Sequence, residues 1–316
     1  MITEKTVFII GAGAGVPYKF PTGDELRIKI IQNFTKLFRR DVISTLDQFP
    51  DKRFNFSETF LDYFINDFKK SRRQIDFFIN KNTKYYKDIG RLAIVLTLFD
   101  NERQCNFWQA EIAGEEDWYK IVWDSLINDL FGPNEYDISQ NKISFITFNY
   151  DRSLEQYLYE SLKYLHTEIP DEDIQKVFQS MKFYHVYGSL ADLDWQNNRS
   201  GVPFQHPRAL DYSSIIKNVK LIFEERKKSQ LLATIHEEIS EAKRIFFLGY
   251  GYLEQNNNIL KLKELLTESH EVFGTAYNNS PNQIKKIKYK LSDNSTVRLR
   301  FIIEPSSCKK LLKDFL

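Results

Sequence analysis

Asn149 and Asp151, within Thr147-Phe148-Asn149-Tyr150-Asp151, have side chains suited to holding a ligand. A carboxamide orients a bound group by donating and accepting hydrogen bonds but cannot act as a general base. A carboxylate two residues on can contact a ligand or cap the helix that follows. Proton transfer would need a titratable partner, and His185, in Tyr184-His185-Val186-Tyr187-Gly188-Ser189, is the candidate. Tyr187, with an ordinary pKa of about 10, is a poor base at neutral pH but can donate a hydrogen bond. Gly11-Ala12-Gly13-Ala14-Gly15 has the small residues that let backbone N–H groups approach a pyrophosphate. Gly249-Tyr250-Gly251-Tyr252 and Tyr277-Asn278-Asn279 add further glycine and amide turns.

Six segments rich in branched or aromatic residues read as strands: Thr6–Ile10, Ile143–Thr147, Phe183–Val186, Ile245–Leu248, Glu271–Ala276 and Val297–Ile302. Most are continuous apolar runs, as parallel strands buried on both faces require. The last alternates Val297, Leu299 and Phe301 with Arg298 and Arg300, the pattern of a sheet edge. The candidate turns follow the ends of the first five strands, so they converge on one edge of the sheet. Helical spacing lies between the strands, in Leu26-Ile30-Phe34-Leu37, in Leu154-Leu158-Leu162-Leu165 and in Leu231-Leu232-Ile235-Ile239-Ala242. Thr22 and Glu25 form a capping-box signature at the start of the first of these helices.

Strands alternating with helices predict a doubly wound, mainly parallel six-stranded α/β sheet. The first two strands are separated by far more chain than a crossover needs. Residues 38–139, mostly helical in pattern, are therefore read as a helical insertion after the first strand-helix unit. Residues 1–37 and 140–316 form the α/β domain. Residues 191–215 read as a long aperiodic loop after the third strand.

The 316 residues carry a formal net charge of +1, which gives no overall field to gather nucleic acid or an anionic membrane surface. The Lys69-Lys70-Ser71-Arg72-Arg73 run reads as an exposed helix face. With 42% apolar and 28% charged residues the composition is that of an ordered globular chain, and 15% aromatic residues predict a core built from rings. Cys105 and Cys308 lack metal-ligand spacing and cannot form a disulfide framework, so no metal and a reducing cytoplasm are expected. No apolar run approaches the roughly 20 residues of a membrane span.

Taken together, Gly11-Ala12-Gly13-Ala14 with Pro21-Thr22-Gly23 and Leu26, Thr147–Asp151 with Leu154-Glu155, His185-Val186-Tyr187-Gly188-Ser189-Leu190 and Phe247-Leu248-Gly249-Tyr250 resemble the sirtuin-like superfamily of NAD-binding proteins. The likeness is to its bacterial stand-alone members, NAD hydrolases of antiphage defence, and it implies a Rossmann-like fold. It implies that Gly11, Ala12, Gly13, Ala14 and Thr22 wrap the pyrophosphate and that Asn149 sits at the nicotinamide ribose. Gly249 and Tyr250 would lie near the adenosine half, with Asp151, Tyr187, Gly188 and Asn278 completing the nucleotide site. NAD+ would be the substrate, with no other cofactor, giving nicotinamide and ADP-ribose. Such an activity would need gating, so a homo-oligomer or an activating protein partner is implied.

The chain departs from that family in three ways, the first being Gly15 in the glycine loop, where the family often has Ser. It lacks the four-cysteine zinc module of the deacetylating members, which argues against protein deacylation. Tyr187 also stands where the family's catalytic histidine directly precedes the glycine. His185, two residues back, lies about 6.6 Å away along a strand, whereas direct base action needs about 3 Å or a bridging water. A non-catalytic NAD- or ADP-ribose-binding regulatory module and an ADP-ribosyl transferase are the alternatives.

Overall fold

A computed structural model of the chain describes residues 1–34, 58–112, 116–128, 137–197, 199–206, 212–221, 230–292 and 300–316. Leu37 of the first helical pattern and residues 297–299 of the expected last strand lie outside the described residues.

In chain order, β1 (Thr6–Ile10) leads into a 3-10 segment (Ala12–Tyr18). Next come α1 (Gly23–Asn33), α2 (Glu58–Ser71), α3 (Ile75–Lys81), α4 (Thr83–Gln104), α5 (Phe107–Ile112) and α6 (Tyr119–Ile127). Then follow β2 (Ile143–Thr147), α7 (Ser153–Leu165), α8 (Asp171–Ser180), β3 (Lys182–His185), α9 (Tyr212–Asn218) and α10 (Gln230–Ser240). The chain closes with β4 (Arg244–Leu248), α11 (Glu254–Ile259), α12 (Leu262–Leu265), β5 (Glu271–Thr275), α13 (Pro281–Leu291), β6 (Arg300–Glu304) and α14 (Cys308–Phe315).

The six strands form one sheet in the order β3-β2-β1-β4-β5-β6, every neighbouring pair parallel. This is the Rossmann-like doubly wound order, with its switch point where β2 and β4 diverge on either side of β1. β1 and β2 are buried along their whole length, which explains their unbroken apolar runs. β6 is an edge, as its alternating pattern predicts, and β3, half-buried, is the other. β3 ends at His185, although Val186 N–H still donates to the Thr147 carbonyl at 2.8 Å.

Register explains much of the aromatic content. Phe183, Phe145, Phe8, Phe246 and Phe273 are consecutive partners across five strands. Their stacked rings lie 4.7, 5.5, 5.2 and 4.8 Å apart from one centroid to the next. Such a pair contributes about 0.5–1.5 kcal/mol beyond the area it buries.

The described residues divide into two compact units, the first comprising 1–18, 106–186 and 226–316 and the second 19–105 and 187–225. The sheet lies in the first. The second is helical, holding α1 to α4 and α9. Residues 106–139 group with the sheet because Trp118 and Tyr119 are tied to it: Trp118 Nε1 donates to the Ala14 carbonyl at 2.8 Å, and the Tyr119 hydroxyl meets Ser153 Oγ at 2.7 Å.

In the helical unit, α4 is buried from Ile89 to Phe99, too apolar all round for a surface helix. Phe64, Phe68, Phe78 and Tyr86 cluster, with ring centroids 5.0–6.0 Å apart between contacting pairs. The capping box at α1 forms as expected, Thr22 accepting from Glu25 N–H and the Glu25 carboxylate accepting from Thr22 N–H. The expected loop over 191–215 is shortened by α9, which begins at Tyr212. Tyr212, Ile215, Ile216 and Val219 are all buried, at a helical spacing too short to stand out in the sequence.

Candidate functional site

In the sheet unit, the carboxyl ends of β1, β2, β3 and β4 bring together Gly11, Gly13, Asn149, His185 and Gly249. Gly11 N–H donates to the Leu248 carbonyl at 2.9 Å and Gly13 N–H to the Gly249 carbonyl at 3.0 Å, while Ala14 N–H turns back to the Gly11 carbonyl at 3.0 Å. Ala12 opens the 3-10 segment between them. Gly249 has φ +56°, and a Cβ there would lie 1.9 Å from Ala14 N. The glycines at 11, 13 and 249 thus let two strand-end turns approach each other at the switch point. Part of the N–H array read as a phosphate cradle is spent on that contact.

Asn149 leaves the end of β2 held at several atoms. Its N–H donates to Thr147 Oγ1 at 3.0 Å, its Nδ2 donates to the Gly11 carbonyl at 3.3 Å, and its own carbonyl accepts from His185. Oδ1 is buried and has no hydrogen-bond partner. Asn149 also helps to line a space of about 20 Å³, with Ala14, Tyr119, Asp151 and Glu155 among the other walls, enough for one water-sized group.

His185 Nδ1 lies 3.0 Å from the Asn149 carbonyl and Nε2 lies 2.6 Å from Glu155 Oε1. A carbonyl only accepts, so Nδ1 carries a hydrogen, and a carboxylate at Nε2 favours a second. Burial by itself would lower the histidine's pKa. The Glu155 charge and hydrogen bond, the Asn149 carbonyl and the Asp151 charge outweigh it, and the pKa is raised. Both ring nitrogens are thus engaged, and the raised pKa favours the protonated ring beside Glu155.

Of the two roles open to Asp151, the structure gives it a cap-like bond: Oδ1 accepts from Ser153 N–H at 3.3 Å and from Ser153 Oγ. Burial pushes its pKa up and the nearby Glu155 adds to this, against the Ser153 hydrogen bonds and His185. Ser153 Oγ also meets the Tyr119 hydroxyl, so α6 reaches the same cluster.

The other expected residues are spread more widely. Tyr250 is buried, its hydroxyl donating to Asn257 Oδ1 at 3.0 Å and its ring 5.5 Å from Phe148. Asn278 is exposed and left-handed, φ 57°, in the turn after β5. Thr22, Tyr187 and Gly188 belong to the helical unit. There Thr22 caps α1, the Tyr187 carbonyl accepts from Lys220 N–H at 2.8 Å, and Gly188, φ +74°, packs against the Asn218 carbonyl.

Glu155, Ser153 and Tyr119 have no role in the sequence-based expectation. Glu155 does follow Asp151 at i,i+4, the spacing that puts two side chains on one helix face. Nothing in the local pattern signals Tyr119, which arrives from a distant segment. No protein-family model and no curated protein sequence matches this chain. Its chemistry has to be read from its own geometry.

Larger cavities of the sheet unit lie elsewhere. One of about 620 Å³ is walled by Phe107, Trp108, Trp123, Tyr157 and Tyr164, and one of about 240 Å³ opens near Lys5, Asn141 and Lys182 at the amino ends of the strands. Among the described residues, no group of three His, Cys, Asp or Glu could hold a metal ion, and no helix is long and apolar enough to cross a membrane.

Proposed function

We propose that this chain is an NAD+ hydrolase, releasing nicotinamide and ADP-ribose, with the nucleotide at the carboxyl edge of the sheet beside the β1/β4 switch point. The observation that carries this is Asn149 Oδ1. A buried acceptor without a donor costs about 1–3 kcal/mol, and a donor supplied by a ligand at Asn149 Oδ1 would recover that cost. A ribose hydroxyl is a donor of the right size for the 20 Å³ space that Asn149 helps to line. That space admits a hydroxyl and not a ring, so the rest of the nucleotide would lie outside it.

The chemistry asks little of a base. The C1′–N bond breaks with its electron pair going to the nicotinamide nitrogen, which leaves neutral and needs no proton. Water oxygen then bonds to the oxocarbenium carbon of the ribose and releases one proton to solvent or a nearby carboxylate. Fixed dipoles that hold the ribose and stabilise the developing cation supply the acceleration. Proton transfer by His185 would first require Nε2 to leave Glu155.

Incubating the purified protein with NAD+ and separating the products tests the proposal. Nicotinamide and ADP-ribose should appear in equal amounts, and Asn149→Ala should lower the rate about 100-fold or more. Equal rates in the two proteins would refute it. The engaged state of both His185 nitrogens favours one second reading, a regulatory module that binds NAD+ or ADP-ribose without turnover. Calorimetric binding of NAD+ with no product formed would establish that alternative. Assembly into an oligomer, or capture of an activating partner, would be the gate expected of such a hydrolase in antiphage defence.

A further inference from the structure

We propose that Glu155 is a positioning residue for Asn149, acting through the His185 ring, an inference that rests on the hydrolase reading for its kinetic consequence but not for its structural one. The chain of contacts is short and half-buried. Glu155 projects from α7 and holds His185 Nε2 at 2.6 Å; Nδ1 on the opposite side of the ring donates to the Asn149 carbonyl at 3.0 Å; and the Asn149 amide donates to Gly11 at 3.3 Å. The Glu155 and His185 side chains are only 6% and 15% exposed, so little water competes for these bonds.

His185 holds the main-chain carbonyl of Asn149, and with it the backbone from which the side chain bearing Oδ1 projects, while Gly11 holds that side chain's amide. An imidazole bonded at Nδ1 alone is held by a single hydrogen bond to a neutral carbonyl. Fixed at Nε2 as well, it cannot turn without breaking a charge-assisted bond. Asp151 and Ser153 face the same cluster, but their bonds run to each other and to Tyr119, so they leave the His185 ring to Glu155.

Glu155→Ala and Glu155→Gln separate positioning from proton transfer. Glutamine keeps the linkage, because its amide N–H can donate to a neutral Nε2 while Nδ1–H still holds Asn149. In protein carrying 15N-labelled asparagine, with the Asn149 side-chain amide assigned from Asn149→Asp, Glu155→Ala should move that signal and speed its exchange with water about tenfold. Glu155→Gln should leave both near wild type. In the NAD+ assay, Glu155→Ala should lower kcat about 10- to 100-fold, and Glu155→Gln should recover it to within about threefold. An unmoved Asn149 signal in Glu155→Ala overturns the inference. So does a Glu155→Gln enzyme as impaired as Glu155→Ala, which would assign Glu155 to proton transfer. If Glu155→Ala does not fold, Glu155→Leu fills the space without the carboxylate. If the wild type cleaves no NAD+, the hydrolase reading falls alone, and the amide signal still decides the positioning role.

Discussion

Gly13 donates its N–H to the Gly249 carbonyl at 3.0 Å, joining the turn after β1 to the turn after β4. These strands are neighbours at the switch point of the sheet, and the bond closes the two turns on each other where the topology would otherwise leave a crevice. Glycine is needed on both sides because each backbone occupies the place of the other's Cβ.

Replacing these glycines by alanine should therefore give a graded loss of stability. Gly249→Ala combines a left-handed φ with a backbone atom 1.9 Å from the new Cβ, and should cost about 3 kcal/mol or more in urea unfolding. Gly11→Ala meets the Gly249 carbonyl at 2.7 Å and should cost less; Gly13→Ala, at 3.0 Å, should cost least. A reversed order would mean that the turns yield independently.

The His185–Glu155 pair predicts a loss of stability towards alkaline pH. The folded state binds the His185 proton more tightly than the unfolded chain does. Its contribution is therefore fully present below the ordinary value of 6.5 and is lost as pH rises through the raised folded-state pKa. Asp151, also raised, acts with the same sign at lower pH, costing stability as pH climbs from 3.8 through its folded-state value. Melting temperatures between pH 6 and 9 should fall in the wild type, and the slope should flatten in His185→Gln.

Trp118 ties α6 to the glycine turn through its indole N–H. Trp118→Phe keeps most of the ring and strands the buried Ala14 carbonyl, so it should cost about 1–3 kcal/mol. A change below about 0.5 kcal/mol would mean that the carbonyl finds another donor.

Gly274 and Tyr252 should be coupled. A Cβ at Gly274 would fall 2.4 Å from the Tyr252 hydroxyl, which itself donates to the Thr275 carbonyl at 3.1 Å. Gly274→Ala should destabilise by about 1–3 kcal/mol and Tyr252→Phe by about 1 kcal/mol. The double variant should lose less than the sum by about 0.5 kcal/mol or more, because the phenylalanine removes the atom in the way. Simple additivity in a double-mutant cycle would count against the clash.

The strands were legible in the sequence because burial on both faces demands apolar runs, and five begin and end within a residue or two of the segments that Ile, Val and Phe mark. The capping box at Thr22 was legible for a similarly local reason, since both partners lie within one turn. Asn149, His185, Gly11, Gly13 and Gly249 could be identified as strand-end residues and hence as neighbours at one edge. Their partners could not. Glu155 reads as one more charged residue on an amphipathic helix until β3 sets His185 beside it, and Tyr119 belongs to a stretch that reads as part of the helical insertion.

Local chemistry therefore determined where the chain forms strands, where its helices start, and which residue types stand at the sheet's carboxyl edge, because periodicity, branching and capping act over a few residues. Only the tertiary structure decided that the glycine turns close on each other, that His185 has both nitrogens occupied, and that Asn149 Oδ1 lacks a donor. Those facts depend on distances between atoms far apart in the chain. A hydrogen bond is satisfied or left open by such distances alone.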